Sequence, residues 1–113
     1  MTNKISILYT KVPTIEMAEL LANGAIENQL AVCVNIFPSG KSIYRWKGEI
    51  NKSDESYLIF KTLTEQLTAL REWIIENHPY DPPAILICDA ETTDGFMGYM
   101  QGESGIVVKG ESE

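Results

Sequence analysis

The hydrophobic and polar positions of this 113-residue chain follow first the period of a strand and then the period of a helix. Near the N-terminus, Ile5, Ile7 and Tyr9 alternate with polar residues, which predicts a half-buried strand. From residue 14 to about residue 28, apolar residues recur at spacings of three and four, which predicts an amphipathic helix. Gly24 weakens this helix without cancelling it. The chain is therefore expected to begin with a strand and a helix.

The middle of the chain has an extended pattern that is interrupted twice. Residues 31–37 carry no charge and are rich in β-branched side chains, which favours a central strand covered on both faces. Residues 42–50 and 56–62 each alternate as further strands and are expected to form an antiparallel hairpin. Turns are predicted at 38–40, where proline and glycine occur together, and in the polar segment 51–54.

A second helix is predicted after residue 62. Thr62 and Glu65 have the spacing of a capping box, and a helical apolar face continues as far as His78. A residue that precedes proline is forced out of the α-helical region, so Pro79 ends this helix. His78 is therefore expected to be the last helical residue or the first residue beyond the helix.

The last clear strand is predicted at residues 84–90 and is followed by a turn at 92–95. In the tail, 94–113, the pattern indicates a short helix and then an edge strand near 106–108. The order β-α-β-β-α-β is that of an α+β ferredoxin-like sandwich, with two helices on one face of an antiparallel sheet. The length favours a single domain over residues 1–113.

Charge and hydropathy narrow the range of partners. The chain has 9 Lys+Arg against 16 Asp+Glu, a formal net charge of −7, which repels nucleic acids and anionic lipids at long range. No apolar run approaches the roughly 20 residues that a membrane span requires, and no secretory signal is recognisable. We therefore expect no nucleic-acid partner, no membrane partner and a cytoplasmic location.

The chain offers little that could carry out catalysis. His78 is the only histidine, no nucleophile-elbow sequence accompanies it, and the glycines lack the strand and helix that flank a phosphate-binding loop. Cys33 and Cys88 lie inside apolar runs, which predicts reduced thiols in the core. A protein without catalytic residues and without a required cofactor is expected.

His78 has two possible roles that its position leaves open. An imidazole is a common metal ligand, and the thiolate of Cys33 or the carboxylate of Asp81 could join it around copper or another divalent ion. A histidine at a helix C-terminus can instead be structural, because its charged form interacts favourably with the helix dipole.

Two aromatic residues raise the question of self-association. Tyr44 and Trp46 lie on one face of a long predicted strand with an exposed edge. Burial against another subunit would cover both the aromatic face and the edge. The alternative is that these residues cover the open face of the sheet beneath the C-terminal tail.

Three segments of the chain, "LAVCVNIFPSGKSIYRWKGEI", "ESYLIFKT" and "HPYDPPAI", resemble the CutA divalent-cation tolerance family in order and separation. The resemblance covers about residues 5–90. It implies a ferredoxin-like domain that forms a homotrimer through its long strands, a shape shared with the PII signalling proteins, and it places Tyr44 and Trp46 at the subunit interface. It also implies a role in tolerance of copper and other divalent cations, with no established catalytic reaction.

The chain departs from the family pattern at Tyr9, Asn77, Ala84 and Gly102. Copper-binding relatives have a cysteine in place of the first and a histidine in place of the second, so two candidate ligands are missing. Cys33, His78 and Asp81 remain as a partial set that is expected to bind a divalent metal weakly.

A PII-like sensor is the alternative expectation. Such a protein would bind a small anion or a nucleotide in clefts between subunits. The positive charge that this cleft needs could come from Lys41, Arg45, Lys47 and Lys61.

Overall fold

The computed structural model describes residues 3–105 and has the predicted ferredoxin-like order, followed by a third helix. The elements are β1 (Asn3–Val12), α1 (Ile15–Glu27), β2 (Cys33–Trp46), β3 (Glu49–Thr62), α2 (Leu67–Asn77), β4 (Leu86–Thr92) and α3 (Asp94–Glu103). A single 3-10 turn, Thr64–Gln66, precedes α2. The short helix expected in the tail is confirmed as α3, whereas the edge strand expected at 106–108 lies outside the described residues.

The four strands form one antiparallel sheet in the order β2-β3-β1-β4. The uncharged segment 31–37 was expected in a central strand, but its residues 33–37 begin β2, which lies at an edge of this sheet. Its side chains are at most half-buried in the single chain. The central positions belong to β1 and β3, whose even-numbered residues face the helices.

The main core lies between this sheet and the first two helices. Its fully buried members include Leu8, Leu58, Phe60, Leu70 and Ile74. A second, smaller cluster lies on the other face of the sheet, where α3 covers the start of β1 near Ile5. The two helices that were predicted therefore share one face, as expected, and α3 adds a partial cover to the opposite face.

The chain reversals of the long hairpin differ from those predicted. Residues 38–40 do not form a turn: β2 continues through them with a β-bulge between Phe37 and Gly40, at which Ser39 has a φ of 63°. Proline is tolerated there because β2 is an edge strand. The chain reverses instead at Lys47 and Gly48, where φ is 50° and 81°, as in the tight two-residue connections that suit twisted hairpins. The segment 51–54, predicted as a turn, lies within β3.

The ends of the helices confirm one prediction and correct two. His78 is the first residue beyond α2 and is extended, with ψ of 140°, as its position before a proline requires. The capping box predicted at Thr62 does not form, because Thr62 ends β3 and Leu63 holds the N-cap position; the Thr62 hydroxyl instead donates a hydrogen bond to the Leu30 carbonyl at 2.7 Å. The turn predicted at 92–95 is the start of α3, and the Thr93 hydroxyl accepts a hydrogen bond from the Phe96 amide.

The hairpin of β2 and β3 projects well beyond the rest of the sheet. Because β1 pairs with β3 only at residues 56–62, the segment 40–55 pairs only with itself, and we call it the arm. The domain measures 55 × 27 × 22 Å, and its radius of gyration of 15.6 Å exceeds the roughly 13 Å expected for a compact domain of this length. None of the helices in the described part of the chain is long and apolar enough to cross a membrane.

Candidate functional site: a pocket at the base of the arm

A pocket of about 410 Å³ opens where the arm leaves the sheet. It lies between the end of β1, the arm and the segment that follows α2. Its walls are Lys11, Tyr44, Trp46, Glu55, Tyr80, Asp81, Pro82 and Ala84. Three aromatic rings and three charged groups therefore meet at one place on the surface.

A buried ion pair forms one wall of this pocket. The Glu55 side chain is 3% exposed, and its Oε1 lies 3.0 Å from Lys11 Nζ. Burial alone would raise the pKa of Glu55, but hydrogen bonds from Ser42, Tyr80 and Lys11, together with the charge of Lys11, outweigh it and lower that pKa. Glu55 is therefore ionised near neutral pH. Lys11 Nζ also lies 5.1 Å from the centre of the Tyr44 ring, within the range of a cation–π contact.

Tyr80 completes the polar wall as a hydrogen-bond donor. Its hydroxyl donates to Glu55 Oε2 at 2.8 Å. Burial and this bond to a carboxylate both raise the pKa of Tyr80, because both disfavour the phenolate. The phenol consequently stays protonated, and it serves to hold the carboxylate rather than to act as a base.

His78 lies behind the pocket and uses both ring nitrogens within the fold. Nδ1 accepts a hydrogen bond from the Tyr80 amide at 3.0 Å, so the ring proton is on Nε2, 2.9 Å from the Thr10 hydroxyl oxygen. Thr10 in turn donates to the Ala84 carbonyl at 2.7 Å. Burial lowers the pKa of His78, an effect that a backbone hydrogen bond to Lys11 partly opposes. The ring therefore anchors the segment that carries Tyr80 and has no free lone pair for a metal.

The three predicted metal ligands do not meet in one chain. Asp81 lines the pocket, His78 is turned away from it towards Thr10, and Cys33 lies at the far end of the sheet, beside Lys61 on the neighbouring strand. Cys33 and His78 are also on opposite faces of the sheet. Among residues 3–105, no group of three or more His, Cys, Asp or Glu side chains could hold a metal ion.

The two thiols are free, and only one is even partly buried. Cys33 is half-buried and Cys88 is exposed, so the expectation of two core thiols is wrong for Cys88. Both align with Ile7 and Lys61 in one row across the sheet, on the face away from α1 and α2. Within the described chain nothing covers this row at Cys88, and an apolar strand is therefore no guarantee of burial.

The two predicted interface residues project from the arm. Tyr44 is 38% and Trp46 is 54% exposed. The opposite face of the arm carries Ile43 and Ile50, which are 67% and 69% exposed. The part of the C-terminal tail that the structure describes does not cover them, because α3 packs at the other end of the sheet.

The basic residues proposed for an anion-binding cleft do not line the pocket. Lys41 pairs with Asp54 at 2.6 Å, and Arg45 donates to a backbone carbonyl at the tip of the arm. Lys47 Nζ lies 6.0 Å from the centre of the Trp46 ring without lining the pocket itself, and Lys61 Nζ lies 6.0 Å from the centre of the Phe96 ring. The pocket thus holds two carboxylates and one ammonium group, a balance that favours cations over anions.

Sequence reasoning missed Lys11 altogether and did not recognise Glu55 and Tyr80 as a pair. Lys11 occupies the next position in the alternation of Ile5, Ile7 and Tyr9, so a charge on a half-buried strand face was the available signal. The contact between Lys11 and Glu55 depends on the pairing of β1 with β3. No local spacing contains that information.

Comparison with known proteins agrees with this architecture. Residues 6–103 match the family model described as CutA1 divalent ion tolerance protein. The divalent-cation tolerance protein CutA of Thermus thermophilus is 35% identical over 88% of this chain and 97% of its own length. The chloroplastic protein CutA of Arabidopsis thaliana is 39% identical over 71% of this chain, but the match spans only 44% of that relative.

A solved structure extends the agreement to three dimensions. The crystal structure of the divalent ion tolerance protein CutA1 from Ehrlichia chaffeensis has a TM-score of 0.87 and 36% identity, and the match covers 94% of this chain and 99% of that one. The sheet order, the long hairpin and the family match together assign this chain to the CutA divalent-cation tolerance family.

Proposed function

We propose that this protein is a homotrimeric, non-enzymatic CutA module that binds divalent cations weakly at the base of the arm. In each trimer, the arm of one subunit lies against its neighbour and completes the pocket. Such head-to-tail contacts close into a ring when each subunit donates the same surface to the next. The number three follows the family resemblance, and the arm supports the association itself.

The observation that carries the proposal is the exposure of the arm. A two-stranded ribbon is at best marginally stable in water, and this one has large apolar side chains on both faces. Burial of such side chains contributes about 25 cal/mol per Å² of apolar area removed from water. Contact with a neighbouring subunit would bury Trp46, Ile43 and Ile50 and thereby add this contribution to stability.

The charge of the pocket supports a cation as its ligand. Lys11 and Glu55 neutralise each other, which leaves the exposed carboxylate of Asp81 as the uncompensated charge. A single carboxylate gives weak binding, and further ligands would have to come from the neighbouring subunit or from water. His78 and Cys33 are not part of this proposed site. The engagement of both nitrogens of His78 and the protonated state of Tyr80 likewise support a non-enzymatic role.

Calorimetric titration tests the proposed site. Cu(II) and Zn(II) are titrated into the wild type, into Asp81→Asn and into Cys33→Ser as a matched control. We expect Asp81→Asn to weaken binding and Cys33→Ser to leave it unchanged. Equal heats from the wild type and Asp81→Asn would remove the pocket from consideration as the cation site.

The alternative of a PII-like sensor for a small anion or nucleotide has less support from the pocket. A thermal-shift screen with nucleotides and inorganic phosphate tests it, because a ligand that binds only the native state raises the melting temperature. We expect no shift in the melting temperature; a reproducible increase would favour the anion-binding sensor.

The cytoplasmic location also stays a proposal, since the Arabidopsis relative is named chloroplastic.

A further inference from the structure

A second groove lies between α1 and α2. It has a volume of about 410 Å³ and is lined by Met17, Leu20, Leu21, Trp73, Asn77 and Pro79. Leu20 is 74% exposed and Met17 is 38% exposed. Apolar side chains of this size are therefore open to solvent on the helical face.

The floor of this groove depends on a glycine. A Cβ atom built on Gly24 would lie 2.7 Å from two ring atoms of Trp73, so only glycine lets the indole lie against the backbone of α1. Glycine inside a helix costs about 1 kcal/mol relative to alanine. Despite this cost, glycine at position 24 allows the flat indole ring to pack between α1 and α2.

The helical layer that contains the groove is acidic. The three helical elements of this layer, α1, the 3-10 turn and α2, together carry one basic residue, Arg71, and six exposed glutamates. These are Glu16, Glu19, Glu27, Glu65, Glu72 and Glu76. Glu16 lies one helical turn before Leu20, and Glu76 lies one turn after Trp73. Carboxylates therefore flank the apolar groove on both helices.

We infer that this groove docks an amphipathic helix of a partner protein, with apolar residues on one face and lysines or arginines beside them. Helices bind in apolar grooves through anchors at spacings of three, four and seven residues. The residues of α1 that line the groove, Met17 to Leu21, cover about one helical turn, so one or two apolar anchors of the partner helix would enter it. A second copy of this chain is a poor occupant, because its helical layer carries the same negative charge.

A labelled model peptide tests the inference. The probe is an 18-residue, fluorescein-labelled peptide of leucine and lysine in a helical amphipathic pattern, and a peptide with glutamate in place of lysine is its counterpart. Binding is measured by fluorescence anisotropy with the wild type, with Leu20→Lys and with Ile75→Lys. The last is a matched control, because Ile75 is 51% exposed on α2, does not line the groove and gains the same charge.

We expect the lysine peptide to bind, and the glutamate peptide not to bind. Leu20→Lys should weaken binding about tenfold or more, because it places a charge in the centre of the apolar contact. Ile75→Lys should change it by less than about twofold, since it alters only the surface. Equal effects of the two variants, equal binding of the two peptides, or no binding to the wild type would overturn the inference. So would a lower assembly mass for Leu20→Lys, which would show that another copy covers the groove.

Discussion

The strand β3 has two halves that differ sharply in their surroundings. Residues 56–62 lie between β1 and β2 under the helices, with Leu58 and Phe60 fully buried. Residues 49–55 pair with no strand of the described chain except β2, and Ile50 is 69% exposed. One continuous strand is therefore buried in the core at one end and exposes its apolar side chains to solvent at the other. The proposed assembly would account for this difference, because a neighbouring subunit would cover the exposed half.

The largest effect is expected from the core half of β3. Leu58→Ala should lower the free energy of unfolding by about 2–5 kcal/mol, because it removes buried methyl groups and leaves a cavity. Urea denaturation measures this change. Leu20→Ala is the control, since a side chain 74% exposed should change stability by less than about 0.5 kcal/mol. A similar cost for both would contradict the burial described for Leu58.

The arm, in which Trp46 of β2 lies beside residues 49–55 of β3, is expected to affect assembly rather than folding. Trp46→Glu should raise the dissociation constant of the oligomer by about 30-fold or more, because truncation of a central tryptophan at an interface costs about 2 kcal/mol or more. Sedimentation velocity at several concentrations measures this change. Ile75→Glu, on α2, introduces the same charge away from the arm and should leave the mass unchanged. An unchanged mass for Trp46→Glu would remove the arm from the interface.

The pocket at the base of the arm links these two halves, since its ion pair joins β1 to β3. Tyr80→Phe removes the hydrogen bond to the Glu55 carboxylate, so we expect a loss of about 1.5–3 kcal/mol in unfolding free energy. Tyr99→Phe, at a half-exposed position on α3, serves as the control and should have little effect. Indistinguishable urea midpoints for the two variants would mean that Glu55 does not depend on Tyr80.

The smallest effect concerns pH and His78. Burial lowers the pKa of this ring in the folded protein, so the unfolded chain takes up a proton first as the pH falls below about 6.5. The stability contributed by the neutral ring is therefore complete above about pH 6.5 and is lost as the pH falls towards the lower folded pKa. His78 is the only histidine, so His78→Gln should flatten the stability profile between pH 7.5 and about 5.5. Parallel urea profiles for the two proteins would contradict this account.

The sequence predicted the fold well because the periodicities of the core elements are local. It misplaced the reversals of the hairpin, because Pro38-Ser39-Gly40 has the composition of a turn but forms a bulge on an edge strand. The actual reversal places Lys47 at a positive φ beside Gly48, within a segment that reads as strand. Local composition does not distinguish these two uses of the same residue types.

The candidate site was less accessible to sequence reasoning for a related reason. His78 was recognised as a candidate ligand from its residue type, but its two ring nitrogens are engaged by Thr10 and by the Tyr80 amide. The contact of Lys11 with Glu55 depends on the register of two strands that are distant in sequence. Residue type suggests chemistry, but whether an atom is free for it depends on the fold.

The central claim is that the arm is buried between subunits. Light scattering of the purified wild type at micromolar concentration tests it most directly. The account predicts a particle of about 38 kDa, three times the 12.6 kDa of one chain. A single species of 12.6 kDa would contradict it.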